Sequence, residues 1–364
     1  MERGKKMKRA YVRRAAVLRL AVASALALAF VLALTGCEGP TGPTGRSGES
    51  GTAQCFTCHS EDSGLLAIEV QYENSVHATG GNFERNTPPC SGCHTHEGFL
   101  ARLATGSPGT ATNPSPVHCF TCHQPHTSGN FNLRTEVPVS LAMGGVFNMG
   151  RGNLCANCHQ ALVPSPLVAA APDSTRITSS RWGPHHGTQA DLLSGSGGYE
   201  FAGFEYENSP HTITATNGCV ACHMAAPYGS QAGGHQMGLT YVYHEEEEEL
   251  LGGCNVRDCH YGAVTSFNYR QAQDEIERLL EGLEFVLQTR GILDTSGAPA
   301  PGKYSEAEAG ALYNFLFIEE DRSLGIHNTD YAAALLEASI AKLQAGASLR
   351  YNRFGSREVR RFTR

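Results

Sequence analysis

Lysine almost disappears from this chain after its first few residues: beyond position 36 only Lys303 and Lys342 occur. The whole chain holds 28 Lys+Arg and 35 Asp+Glu. Eight of the basic residues (Arg3, Lys5, Lys6, Lys8, Arg9, Arg13, Arg14 and Arg19) and one acid, Glu2, fall within residues 1–36, which leaves 20 basic against 34 acidic residues and a net charge of −14. A balance that acidic gives nothing for a polyphosphate to bind, so nucleic acid is excluded as a partner. Long apolar runs are scarce as well. The uncharged stretch from Leu20 to Leu34 is too short for a comfortable membrane span. Residues 55–262 are rich in Gly, Pro, Ser, Thr and Asn and poor in periodic apolar runs, so little side-chain core is expected in that region.

What the chain does have is cysteine in a fixed pattern. Twelve of the 13 cysteines form six pairs, each followed at once by histidine. Five pairs are C-x-x-C-H: Cys55-Phe56-Thr57-Cys58-His59, Cys90-Ser91-Gly92-Cys93-His94, Cys119-Phe120-Thr121-Cys122-His123, Cys155-Ala156-Asn157-Cys158-His159 and Cys219-Val220-Ala221-Cys222-His223. The sixth is stretched, Cys254-Asn255-Val256-Arg257-Asp258-Cys259-His260. C-x-x-C-H reads as c-type haem attachment, with two thioethers to the porphyrin and the adjacent imidazole on the iron. Structural zinc would close its cysteine pairs with a second Cys or His pair and has no need of the trailing His. A disulfide framework has no need of it either, and suits short secreted domains. The pattern therefore predicts six c-type haems, with His59, His94, His123, His159, His223 and His260 as proximal ligands.

The thirteenth cysteine closes the N-terminal segment. A basic stretch, a short apolar core and Leu34-Thr35-Gly36-Cys37 have the order of an export signal. The L-T-G-C sequence resembles a bacterial lipobox, which implies cleavage after residue 36 and lipidation of Cys37; the alternative is an uncleaved anchor. Either way the chain is expected outside the cytoplasm and held to a bilayer. Glu38 at the following position resembles lipoproteins sorted to the outer membrane, so the periplasmic face or the outer surface of that membrane is expected. From Gly39 to Gly51 glycine recurs every third residue. So few triplets make an extended tether, with a trimerising stalk as the alternative.

The attachment motifs start at 55, 90, 119, 155, 219 and 254, a loose repeat of short helices joined by loops. After His260 the pattern changes. Arg270–Thr289 places Ile276, Leu279, Leu280, Leu283, Phe285, Val286 and Leu287 at the spacing of an amphipathic helix. Ser305-Glu306-Ala307-Glu308 begins a second helix with a capping box, and Asp330–Leu343 forms a third. The expected organisation is residues 1–36 as a signal peptide, 37–54 as lipidated cysteine and tether, and 55–262 as the hexahaem region. Residues 263–346 follow as a helical segment packing on the haems, and 347–364 as a basic, flexible tail. The fold class is mainly α and irregular, a multihaem cytochrome fold with the haems as its core and a C-terminal helical segment.

Ten of the 16 histidines lie outside the motifs: His77, His96, His118, His126, His185, His186, His211, His235, His244 and His327. Six closed irons require six of them. Lysine is too scarce to substitute, while Met143, Met149, Met224 and Met237 remain open as ligands. The segments Asn74-Ser75-Val76-His77, Cys122-His123-Gln124-Pro125-His126, Trp182-Gly183-Pro184-His185-His186, Asn208-Ser209-Pro210-His211 and Gly233-Gly234-His235 resemble distal-ligand segments of multihaem cytochromes. Gly325-Ile326-His327-Asn328, leading into Tyr331 to Leu336, resembles the C-terminal helical segment of the ammonia-forming cytochrome c nitrite reductase superfamily. The resemblance implies His77, His126, His211, His235, His327 and one of His185 and His186 as distal ligands, His185 being favoured because it repeats the Pro-His context of His211. His118 and His96 stand as substitutes.

Bis-His irons have no open position for a substrate, so the expected function is electron transfer between extracytoplasmic redox partners, either cytochromes or quinol-linked complexes. The rival is a reductase of nitrogen or sulfur oxyanions. The superfamily's nitrite reductases bind substrate at a C-x-x-C-K haem, and no such motif occurs here. A third reading is a subunit of a cytochrome filament. The sequence leaves the oligomeric state open.

Overall fold

The computed structural model describes residues 64–128, 130–164 and 174–345. The signal peptide, Cys37, the tether, the first motif (Cys55, Cys58 and His59) and the tail beyond residue 345 lie outside the described residues. Within them no helix is long and apolar enough to cross a membrane.

Five helices exceed two turns: α1 (Leu65–Glu73), α2 (His96–Thr105), α3 (Ala272–Thr289), α4 (Glu306–Asp321) and α5 (Thr329–Ala345). The last three follow the apolar periodicity closely. Ile276, Leu279, Leu280, Leu283 and Leu287 form the buried stripe of α3. Phe285 departs from the expected stripe and stands 68% exposed, because it falls between Leu283 and Leu287 on the opposite side of the turn. α4 starts where the capping box places it: Ser305 Oγ accepts the Glu308 N–H at 3.4 Å, and the Glu308 carboxylate accepts the Ser305 N–H at 2.9 Å. α5 packs against both α3 and α4.

These helices enclose a protein core of their own. Leu283, Leu312, Phe317, Tyr331, Leu335 and Leu336 are buried together, joined by Ile177, Trp182 and Leu192 from before residue 263. The expectation of little side-chain core holds for the motif region alone, where a small cluster around Phe147, Met149 and Leu193 is the counterpart. A short antiparallel pairing of Thr175–Ile177 with Gly302–Tyr304 ties the two regions. Two more hairpin pairings, Val139–Ser140 with Val146–Phe147 and Thr240–Tyr243 with Glu246–Glu249, lie inside the motif region.

The motifs themselves are single helical turns: Ser91–His94, Cys119–Cys122, Gly152–Ala156 and Cys219–His223. One turn puts residues three apart on the same side, so both thiols of a C-x-x-C pair face one way and the histidine follows immediately. The stretched motif is built from tight turns, with the His260 N–H reaching the Cys254 carbonyl at 3.1 Å. Gly253 is required just before it: a Cβ there would stand 2.9 Å from Cys222 Cα.

Candidate metal centres

Each described motif histidine meets the ring of a histidine from a distant segment. The ring centroids of His77 and His159 are 6.1 Å apart, those of His94 and His185 6.2 Å, and those of His123 and His235 6.2 Å. His211 and His260 stand at 6.0 Å, and His223 and His327 at 6.3 Å. An imidazole nitrogen lies about 1 Å from its ring centre and a metal–imidazole bond is about 2 Å, so rings on opposite sides of one metal stand about 6 Å apart. Direct ring stacking would bring them closer, as it does for His96 and His118 at 4.2 Å.

Tautomers are set to match. His123 Nδ1 donates to the Phe131 carbonyl at 2.8 Å, His211 Nδ1 to the Ile326 carbonyl at 2.8 Å, and His223 Nδ1 to the Met237 carbonyl at 2.9 Å. A carbonyl only accepts, so the proton sits on Nδ1 and the Nε2 lone pair is free. His159 Nδ1 meets Gln189 Oε1 at 3.3 Å, and His77 Nδ1 meets Met237 Sδ at 3.2 Å. Met237 is thus an acceptor for one ring through sulfur and for another through its carbonyl. Burial, reinforced by His159, holds His77 down to about 4. Burial likewise lowers His94, His159, His185, His223, His235 and His260, which keeps them neutral as a metal requires. His327 is the exception. Burial pulls it down, but the Asp321 carboxylate beside it carries the balance upward.

The remaining predicted histidines fall elsewhere. His186 meets Glu320 with its Nδ1, and its neighbour His185 is the ring opposite His94. His126 lies beside Phe120, at 5.6 Å between rings. His118 caps the Cys119–Cys122 turn, its Nδ1 accepting the Phe120 N–H at 3.3 Å, and His96 Nδ1 pairs with Thr121 Oγ1 at 2.9 Å. His244 sits in the turn of the acidic hairpin against Tyr243.

Several positioning residues carry no sequence motif. Gln71 Oε1 accepts the His235 N–H at 3.1 Å, and a Cβ on Gly234 would lie 2.4 Å from that oxygen. Asn328 is fully buried: its Oδ1 accepts the Ser209 N–H at 2.9 Å and its amide donates to the Leu192 carbonyl at 3.1 Å, which locks the His211 segment to the His327 segment. Its place directly after His327 is the one signal the sequence offered.

The motifs also touch one another. The thiol of Cys93 neighbours that of Cys158, and the thiol of Cys155 that of Cys219. Arg102 reaches Cys93 Sγ at 3.3 Å and Cys158 Sγ at 3.7 Å. The Cys158 partner and Arg102 together bring the Cys93 thiol down to about 6, against the opposing pull of burial. Burial, with Cys155 and Cys119 nearby, raises Cys122 to about 12. Cys222 is raised to about 11 by burial and by Cys254 and Cys259. Five described motifs thus form one contiguous set.

The donor set fits a planar macrocyclic iron group. The opposed imidazoles would hold its iron, and the cysteine pair beside each motif histidine would attach it. Among the described residues no cluster of three or more His, Cys, Asp or Glu could hold a bare ion, and the described cysteines are free thiols. Large apolar side chains beside the rings are left without protein cover: Val76 is 80% exposed, Ile213 81% and Tyr261 77%. An apolar macrocycle at the paired histidines would cover such surface.

No protein-family model matches the chain, and no curated protein is similar to it. Among solved structures it is similar to the crystal structure of an outer cell wall cytochrome, OcwA, with a TM-score of 0.50 and 23% identity over 75% of this chain. The matched part is 50% of that cytochrome, so the chain spans about half its length. The likeness is one of fold, mainly helical and irregular with a C-terminal helix.

Proposed function

We propose that the chain is an extracytoplasmic hexahaem c-type cytochrome that passes electrons between redox partners. The observation that carries this reading is the opposition of every described motif histidine to a second histidine at 6.0–6.3 Å. The bound group supplies one-electron chemistry at iron. The chain's own residues would attach it through each cysteine pair, and Nδ1 partners orient six of the ten opposed rings: His77, His123, His159, His211, His223 and His327. They also bring neighbouring attachment points into contact. The stretched pair Cys254 and Cys259 is included, because His260 meets His211 as the other motif histidines meet their partners. The first centre is assigned His59, which lies outside the described residues, with His126, the distal candidate that no described motif histidine meets, as its second ligand and His118 or His96 as the substitute.

Electron transfer is preferred to oxyanion reduction because two histidines at each described centre would occupy the positions a substrate needs. Cys37 is read as the lipid-bearing residue and the outer membrane as the location, both on the strength of the sequence. The acidic surface favours basic redox partners.

The test uses mature protein. Mass spectrometry should give six covalent haems and an acylated Cys37. Magnetic circular dichroism should show low-spin bis-His iron throughout, and the reduced protein should bind no carbon monoxide. Stoichiometric carbon monoxide binding together with steady nitrite consumption would replace the conductor by a reductase.

A further inference from the structure

Asp321 ends α4 at a fully buried position, its side chain having no exposure. Arg322 follows with φ 62°, which turns the chain back so that His327 reaches the carboxylate six residues on. His327 Nδ1 meets Asp321 Oδ1 at 2.6 Å. The other oxygen, Oδ2, accepts the Ser323 N–H at 3.2 Å and the Ser323 hydroxyl. Ser323 Oγ in turn accepts the His327 N–H at 3.3 Å. Among the described residues His327 is the sole ion-pair partner of Asp321.

No other described ring with an Nδ1 partner in these pairs has a carboxylate there. Peptide carbonyls serve His123, His211 and His223, an amide serves His159, and a thioether serves His77. A carboxylate is the stronger acceptor, and burial away from water strengthens it further. It draws the Nδ1 proton and so makes Nε2 a better donor to a metal. A better donor favours the more oxidised metal.

We infer that Asp321 is a positioning and tuning residue that gives the centre of Cys219, Cys222, His223 and His327 the lowest reduction potential of the five described. This rests on the proposed haem reading. Cys155 neighbours Cys219 on one side, and Cys222 neighbours Cys254 and Cys259 on the other. The centre is therefore interior to the array, a step that electrons cross rather than a place where they rest.

Spectroelectrochemical titration of the full holoprotein tests this. In Asp321→Asn the lowest of the resolved potentials should rise while the others stay, with haem content and low-spin spectrum unchanged. In Ser323→Ala the carboxylate loses a competing donor and binds His327 more strongly, so the same potential should fall. Opposite signs from two neighbouring substitutions are not what a structural role produces. An Asp321→Asn holoprotein whose potentials match the wild type, or shift together, overturns the inference. Should that variant fail to fold, Ser323→Ala with no downward shift overturns it equally. Failure of the haem reading is distinguishable, since the wild type would then carry no covalent haem.

Discussion

The helices after residue 263 and the motif region before it bury different things. Around α3, α4 and α5 aliphatic and aromatic side chains meet each other directly, with Leu283, Leu312, Phe317 and Leu336 fully buried. In the motif region the helical turns that carry the cysteines are four or five residues long, and what they bring together is imidazole, thiol and backbone hydrogen bonds. The first region draws its stability from apolar burial; the second, on the proposed reading, would draw it from bonds to haem. The helical region should therefore stand without haem and the motif region should not.

The largest effect tests that difference directly. Protein made without haem attachment should lose amide-exchange protection over residues 64–160, where single turns and helices of nine and ten residues are too short to hold themselves together. Slow exchange should persist in α3, α4 and α5. Equal loss in both regions would show that the helices depend on haem too.

The converse substitution lies in the helical core. Leu312→Ala should cost about 2–5 kcal/mol in denaturant unfolding, the range for a buried leucine. The low-spin spectrum of the folded variant should be that of the wild type. A spectral change in the native state would mean the core also sets ligand geometry at a distance.

The same contrast decides what the sequence revealed. The three long helices were legible to within two residues at their starts, because capping and a repeat of 3.6 are local signals. Phe285 was the exception, as apolar identity alone does not fix a face when neighbours on both sides are apolar. In the motif region the residues of the opposed rings could be named, but not which faced which. His77 meets His159 across 82 positions and His94 meets His185 across 91, and no local pattern encodes such pairings. Gln71, Arg102 and Asp321 escaped for the same reason: each acts on a partner that only the fold brings near. For the adjacent pair His185 and His186 the Pro-His context favoured His185, and the geometry agrees, with its ring toward His94 and that of His186 toward Glu320.

Asp191 sits at the seam of the two regions and should give a smaller, pH-dependent effect. Its Oδ2 accepts the Ala161 N–H at 2.7 Å, while Oδ1 is buried with no partner. Burial pushes this carboxyl up to about 7 from 3.8, against the pull of the Ala161 N–H. The folded chain thus holds the proton more tightly than the unfolded chain. Its contribution is most favourable below pH about 4, is lost as pH rises toward about 7, and stays lost above. Asp191→Asn should remove that slope and be more stable than wild type at pH 8 by ~1–3 kcal/mol, the scale of an unpaired buried polar group. Urea unfolding at pH 5 and 8 measures it. An unchanged difference between the two pH values would remove Asp191 as its source.

The smallest effect compares two capping boxes. Ser305 and Glu308 cap α4, a helix of 16 residues that starts the apolar core. His118 and Thr121 cap the four-residue turn Cys119–Cys122, with the His118 N–H donating to Thr121 Oγ1 at 3.0 Å. Ser305→Ala leaves helix donors without an acceptor, and the helix start has only those bonds to hold it, so a loss of about 1 kcal/mol is expected. His118→Ala removes an equivalent local bond from a turn that two cysteines and His123 would pin to haem. Fraying there is already prevented, and thermal unfolding of the holoprotein should move less than for Ser305→Ala. If the His118 variant is the more damaging of the two, the Cys119–Cys122 turn depends on its own cap, and attachment is not what holds it.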